Sequence, residues 1–177
     1  MQDIINKAKN IKLVIFDVDG VLTDGSLYVT HSGEEIKAFN SRDGHGLKML
    51  QNSGVIVAII TGRTSSIVTH RMNELGIDHV YQGKKNKYPA FVDLLEKLSI
   101  SPEQTAYVGD DVVDLPVMSH VGLAIAVQDA HDFVIKHSHW QTPKCGGKGA
   151  ARDVCELIMD AQGKLQTELE SYLNKPA

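Results

Sequence analysis

Apolar residues along this chain fall into short unbroken runs, separated by stretches with a three-to-four-residue period. Ile11–Phe16 carries KLVIF, Val55–Ile60 reads VIVAII, and Ala106–Val108 and Leu123–Val127 lie within TAYVG and GLAIAV. Short apolar, β-branched runs are the pattern of strands covered on both faces, as in a parallel sheet. His79–Gln82 is a weaker candidate of the same kind. Helical spacing alternates with these runs. Gly46–Asn52 aligns Leu47 with Leu50, and Ser65–Leu75 aligns Ile67, Val68, Met72 and Leu75 before Gly76 stops it. Tyr88–Leu98 aligns Phe91, Leu94, Leu95 and Leu98. The alternation predicts an α/β fold: a Rossmann-like parallel sheet flanked by helices, in one domain over 1–177.

Two segments depart from it. Leu27–Phe39 reads as a β-hairpin turning at HSGE, and Ala150–Leu173 as a long amphipathic helix in which Gly163 marks a bend or an end. The glycine-rich KCGGKGAAR joins sheet and tail.

Composition removes several classes. The net charge of −4 and 6% aromatic content leave neither a basic field nor a stacking surface, so nucleic acid is not expected as a partner. Val55–Ile60 is too short to span a bilayer, and Met1–Asn10 is too polar for a secretory signal, so no membrane partner and a cytoplasmic location are expected. Cys145 and Cys155 cannot form a disulfide framework or a four-thiolate zinc site.

The chemistry lies where strands end. Asp17 and Asp19, in DVDGVLTDG, directly follow the first run. Ligands of open α/β sheets bind at the carboxyl ends of strands, and two carboxylates so placed repel each other unless a cation lies between them. Oxygen donors favour Mg²⁺ over zinc. A second acid group, Asp110, Asp111 and Asp114, follows Ala106–Val108. Thr61, Gly62 and Arg63 follow Val55–Ile60 with a hydroxyl and backbone amides suited to a phosphate oxygen. Lys87 opens the next helix, an unfavourable place for a cation unless it answers other charges.

These four motifs, in this order, resemble those of the haloacid dehalogenase superfamily of phosphotransferases over Ile11 to about Val127. The resemblance implies that Asp17 is the nucleophile and Asp19 the general acid and base. It implies that Asp17, the carbonyl of Asp19 and Asp110 ligate Mg²⁺, with Asp111 or Asp114 supporting the metal's water shell. Thr61 and Lys87 would bind the phosphoryl group. The spacings from Asp17 to Thr61 and from Thr61 to Lys87 leave no room for a separate cap domain.

Longer matches, including the hairpin's GEE, FNSRDGHGLKML, YQGKKNK and GGKGAAR, resemble capless tetrameric members acting on a sugar-acid phosphate of lipopolysaccharide synthesis. A homotetramer follows, with hairpins covering neighbouring sites. For the sugar carboxylate, Arg63, Lys148 and Arg152 are candidate partners, and Arg42 and Asp43 could also meet the sugar or cap the following helix. His137 and His139 read as structural, one strand face presenting both. His45 is the histidine nearest to candidate chemistry. A phosphoaccepting signalling domain fits less well, because an acid two residues after the nucleophile speeds turnover. A non-catalytic scaffold fits less well because all five catalytic positions are filled.

Overall fold

The computed structural model describes residues 1–173. A six-stranded sheet runs through its centre, parallel at every pairing. The chain opens with helix α1 (Gln2–Lys9) and strand β1 (Leu13–Phe16), followed by the small strands β2 (Tyr28–Val29) and β3 (Glu35–Ile36). Helix α2 (Ser41–Asn52), strand β4 (Ile56–Ile60), helix α3 (Ser66–Leu75), strand β5 (His79–Tyr81) and helix α4 (Tyr88–Leu98) come next. Strand β6 (Thr105–Gly109), helix α5 (Leu115–Met118), strand β7 (Leu123–Ala126), helix α6 (Asp132–Lys136) and strand β8 (Trp140–Gln141) complete the sheet. Helices α7 (Ala150–Ala161) and α8 (Leu165–Ser171) close the described chain.

The sheet order is β5-β4-β1-β6-β7-β8, which puts the all-apolar β1 in the middle. Every residue of β1, β6 and β7 is buried, as in strands covered on both faces. Strand β1 is therefore flanked by β4 and β6, and the three carboxyl ends lie side by side.

Helix α2 begins at Ser41, five residues before its apolar pair predicts. Asn40 caps it by accepting from the Arg42 amide at 2.8 Å. Gly44 and Gly46 sit in this helix because neighbours come close. A Cβ on Gly46 would lie 2.7 Å from Cδ of Arg152, and one on Gly44 2.3 Å from Arg71 Nη2. The expected single C-terminal helix is two helices. Gly163, at φ +68°, breaks them apart; α7 buries Val154, Cys155, Ile158 and Met159, and α8 buries nothing. No helix among the described residues is long and apolar enough to cross a membrane.

Candidate active site

Asp17 follows β1 directly, and its amide donates to Val108 O of β6 at 3.1 Å. The nucleophile candidate is thus anchored to the sheet through its backbone. Its Oδ1 accepts from the Val18 amide at 2.7 Å, and its Oδ2 lies 2.6 Å from Lys87 Nζ. Lys87 is almost fully buried, and the same ammonium lies 2.6 Å from Asp114 Oδ1. Thr61 follows β4, its amide donating to Tyr81 O at 2.9 Å, and is buried. Asp110 follows β6. Thus β1, β4 and β6 bring Asp17, Thr61 and Asp110 to one edge, and Lys87 reaches in from the start of α4. They line a cleft of about 420 Å³ with Asp19, Gly62, Arg63, Lys85, Asp111 and Val113.

Asp114 lies deeper than Asp111. It is fully buried, and four donors use its two oxygens. Lys87 Nζ and Tyr107 OH donate to Oδ1 at 2.6 and 2.7 Å. The amides of Asp110 and Asp111 donate to Oδ2 at 3.0 and 3.3 Å. It is the counter-ion and spacer of Lys87. Asp111 is exposed at the cleft rim, where its side chain accepts from the Val112 amide at 2.7 Å.

The electrostatics follow from this crowding. Burial, then repulsion from Asp114, raises Asp17 to a pKa of about 6, although Lys87 pulls the other way. Burial, then Asp114 and Asp17, raises Asp110 to about 8. Burial lowers the pKa of Lys87, but Asp114 and Asp17 outweigh it, so the ammonium stays charged. The cleft therefore holds more buried acid than one lysine can balance.

That imbalance fits a divalent cation. One oxygen each from Asp17, Asp110 and Asp114 lies within 4.8 Å of the others. The donors are all oxygen, which suits Mg²⁺. Asp110 also lies against the Asp17–Asp19 loop only because residue 20 is glycine. A Cβ there would fall 2.1 Å from Asp110 Oδ2, and Gly20 has φ +88°. The residues present thus fit Mg²⁺.

The sugar-contact candidates divide. Arg63 is at the cleft, half-exposed, with Nη2 donating to Glu35 Oε1 at 2.8 Å. Lys148 and Arg152 are not among the residues lining the cleft. Hydrogen bonds with Ser26 lower the pKa of Asp24, and Lys148 adds a weaker pull in the same direction. Arg152 Nε donates to Glu156 at 2.6 Å on the α7 surface facing α2. Asp43 neither faces the cleft nor caps its own helix. It is buried and accepts from the amides of Gly149 and Arg152 at 3.1 and 2.8 Å, capping α7 across the interface. Arg42 is exposed on α2. His45 stacks edge-on to Tyr172 with ring centroids 5.2 Å apart.

His137 and His139 do not share a strand. His137 Nδ1 bonds Phe133 O at 2.7 Å as α6 ends, and His139 Nδ1 accepts from the Ala124 amide at 2.8 Å. Sequence reasoning missed Lys37 and Glu35 in the hairpin, Lys85 at the cleft wall, and Tyr107. It also missed the buttress behind the Asp17 loop, where a Cβ on Gly146 would lie 1.7 Å from Gly20 O.

A parallel α/β sheet whose central strand ends in two aspartates, with a threonine, a buried lysine and a third aspartate around them, defines a phosphotransferase site of the haloacid dehalogenase class. Residues 79–152 match the family model described as haloacid dehalogenase-like hydrolase. The chain is 56% identical over 163 residues to a 3-deoxy-D-manno-octulosonate 8-phosphate phosphatase from Escherichia coli (strain K12), covering 92% of this chain and 87% of that one. A crystal structure of such a phosphatase from Moraxella catarrhalis, in complex with magnesium ion, phosphate ion and KDO, superposes with a TM-score of 0.95. It is 44% identical and covers 97% of this chain and 99% of that one. One from Yersinia pestis has a TM-score of 0.92 at 51% identity, covering 93% and 89%. The chain belongs to the 3-deoxy-D-manno-octulosonate 8-phosphate phosphatase family of haloacid dehalogenase-like hydrolases.

Proposed function

We propose that the protein hydrolyses 3-deoxy-D-manno-octulosonate 8-phosphate to the free sugar acid and phosphate, with Mg²⁺, through a phosphoryl-aspartate on Asp17. The observation that carries this reading is the buried Lys87 ammonium, 2.6 Å from Asp17 Oδ2, beside Asp110 and Thr61 in one cleft. A carboxylate and a phosphate monoester repel each other, and the site supplies the charge that offsets this. When bound, Mg²⁺ adds two positive charges among Asp17, Asp110 and the Asp19 carbonyl and orients the phosphoryl group. Lys87 and Thr61 hold phosphoryl oxygens while Asp17 attacks phosphorus. The bond from phosphorus to the sugar oxygen breaks, and Asp19 gives that oxygen a proton. Asp19 then takes a proton from a water whose oxygen attacks phosphorus, the bond from phosphorus to the Asp17 oxygen breaks, and phosphate leaves as the Asp17 carboxylate is restored. Arg63 and Lys85 at the cleft mouth are the cations best placed for the sugar carboxylate.

We also infer a cytoplasmic homotetramer. Leu27, Tyr28, Val29 and Ile36 are 53–61% exposed in the hairpin, an apolar face suited to a neighbouring subunit. Both cysteines are free, which accords with a reducing compartment, and a charged sugar phosphate stays where it is made.

The test is phosphate release from the 8-phosphate octulosonate in Mg²⁺ and in EDTA, beside a nonulosonate 9-phosphate and neutral sugar phosphates. Mg²⁺-dependent release strongest on the octulosonate supports the reading. Preference for another substrate overturns the sugar assignment, and release unaffected by Asp17→Asn overturns the chemistry.

A further inference from the structure

Lys37 follows β3 in the hairpin. Alternate residues of a strand share a face, so Glu35 and Lys37 point one way and Ile36 the other. Ile36 is 57% exposed, whereas the Lys37 side chain is 1% exposed. An ammonium so removed from water needs charged partners. Lys37 Nζ donates to Asp19 Oδ1 and lies 3.3 Å from Glu35 Oε1. Glu35 in turn accepts from Arg63 Nη2 at 2.8 Å, and Arg63 Nε stands 3.8 Å from Asp19 Oδ2.

The two aspartates of the motif are therefore held by different parts of the molecule. Asp17 is fixed from within, by its strand, the Val18 amide and Lys87. Among the described residues, the only side chains pairing with the Asp19 carboxylate are Lys37 and, more distantly, Arg63. Arg63 is half-exposed, so its hold is screened by water. Without Lys37, the Asp19 side chain would be free to leave the orientation that faces a leaving oxygen, and loss of such placement is expensive in rate.

We propose that Lys37 is a positioning residue for the proton transfer at Asp19, so that leaving-group protonation depends on the hairpin being seated. This deepens the reading above and rests on Asp19 being the acid. The experiment compares two substrates in Mg²⁺: the octulosonate 8-phosphate, whose alkoxide needs a proton, and p-nitrophenyl phosphate, whose phenolate does not. The parameter is kcat/KM, which reports events up to cleavage of the phosphorus–oxygen bond. Lys37→Met should lower it about 100-fold on the sugar phosphate and less than about threefold on the aryl ester. Lys37→Arg should recover most of the loss, and Asp19→Asn should show the same split. Glu35→Gln, which loosens Lys37 without removing it, should split the two substrates about tenfold; it carries the test if Lys37→Met does not fold. An equal fall on both substrates, or none on either, overturns the proposal. An Asp19→Asn enzyme with the wild-type ratio overturns the assignment of Asp19 on which it rests.

Discussion

Replacing Asp114 by Asn would change one buried atom and remove the charge that fixes Lys87. The carboxylate accepts four hydrogen bonds, two on each oxygen. An amide offers only one oxygen, so its NH₂ must face either Lys87 and Tyr107 or the amides of Asp110 and Asp111. Two buried donors then lose their acceptor, at about 1–3 kcal/mol each. An opposing effect is relief of Asp17 and Asp110. The whole rise of Asp17 from 3.8 to about 6 corresponds to ~3 kcal/mol and that of Asp110 to about 8 to ~6 kcal/mol, but burial, which remains, is the largest cause of each, and Asp114 supplies only a part. The relief is therefore the smaller effect, and a net loss of ~2–4 kcal/mol is expected. Urea unfolding in EDTA at pH 7.5, with matched m-values, measures it. Asp111→Asn is the control. It is exposed, and Asn caps as well as Asp, so its change should stay within about 0.5 kcal/mol. A loss below ~1 kcal/mol for Asp114→Asn would show that the four-donor cage does not stabilise the fold as argued.

Asp17 and Asp110 have folded pKa values above their ordinary 3.8, so the folded state holds more protons than the unfolded one between about pH 4 and 8. Stability in EDTA should fall across that window and level off above it. Mg²⁺ should raise Tm by an amount that grows with pH; a constant increment would contradict the coupling. Gly146→Ala, outside the cleft, drives a methyl toward Gly20 O and should weaken Mg²⁺ binding at least tenfold by calorimetry, since Gly20 seats Asp110. Ile36→Lys, on the outer hairpin face, should shift the light-scattering mass from that of the proposed tetramer to smaller species, and an unchanged mass would separate the hairpin from assembly.

The sheet was legible because strands buried on both faces are mostly apolar, as β1, β4, β7 and the Ala106–Val108 stretch of β6 are. The residues at their carboxyl ends were legible for the same reason, since the end of each run marks the sheet edge. What escaped has equally physical causes. Helix α1 buries only Ile4 and Ala8, too few positions for a period to emerge. Strand β8 is two residues long. Gly44 fell outside the helix read from Gly46 onward, although both glycines lie in α2 and admit Arg71 and Arg152 at close range. Asp43 read as a sugar contact or a cap of its own helix, because a helix cap lent across an interface leaves no local trace. Lys37 left no signal in the sequence, because its burial depends on how the hairpin folds back over Asp19.

The central place of β1 also dictates when in folding the cleft can exist. Leu13 pairs with Ile56 on one side and Thr105 on the other, so the nucleophile's strand closes two long loops of chain. Such distant pairings are slow, because loop-closure entropy is lost before the contacts compensate. A nascent chain that has completed β4 but not β6 holds Asp17 and Thr61 without Asp110 or Asp114. It has an unpaired edge on β1 and a lysine at position 87 with half its counter-charge. Metal affinity should therefore emerge only with the last long-range pairing, making Mg²⁺ a ligand of the finished sheet and of no earlier species.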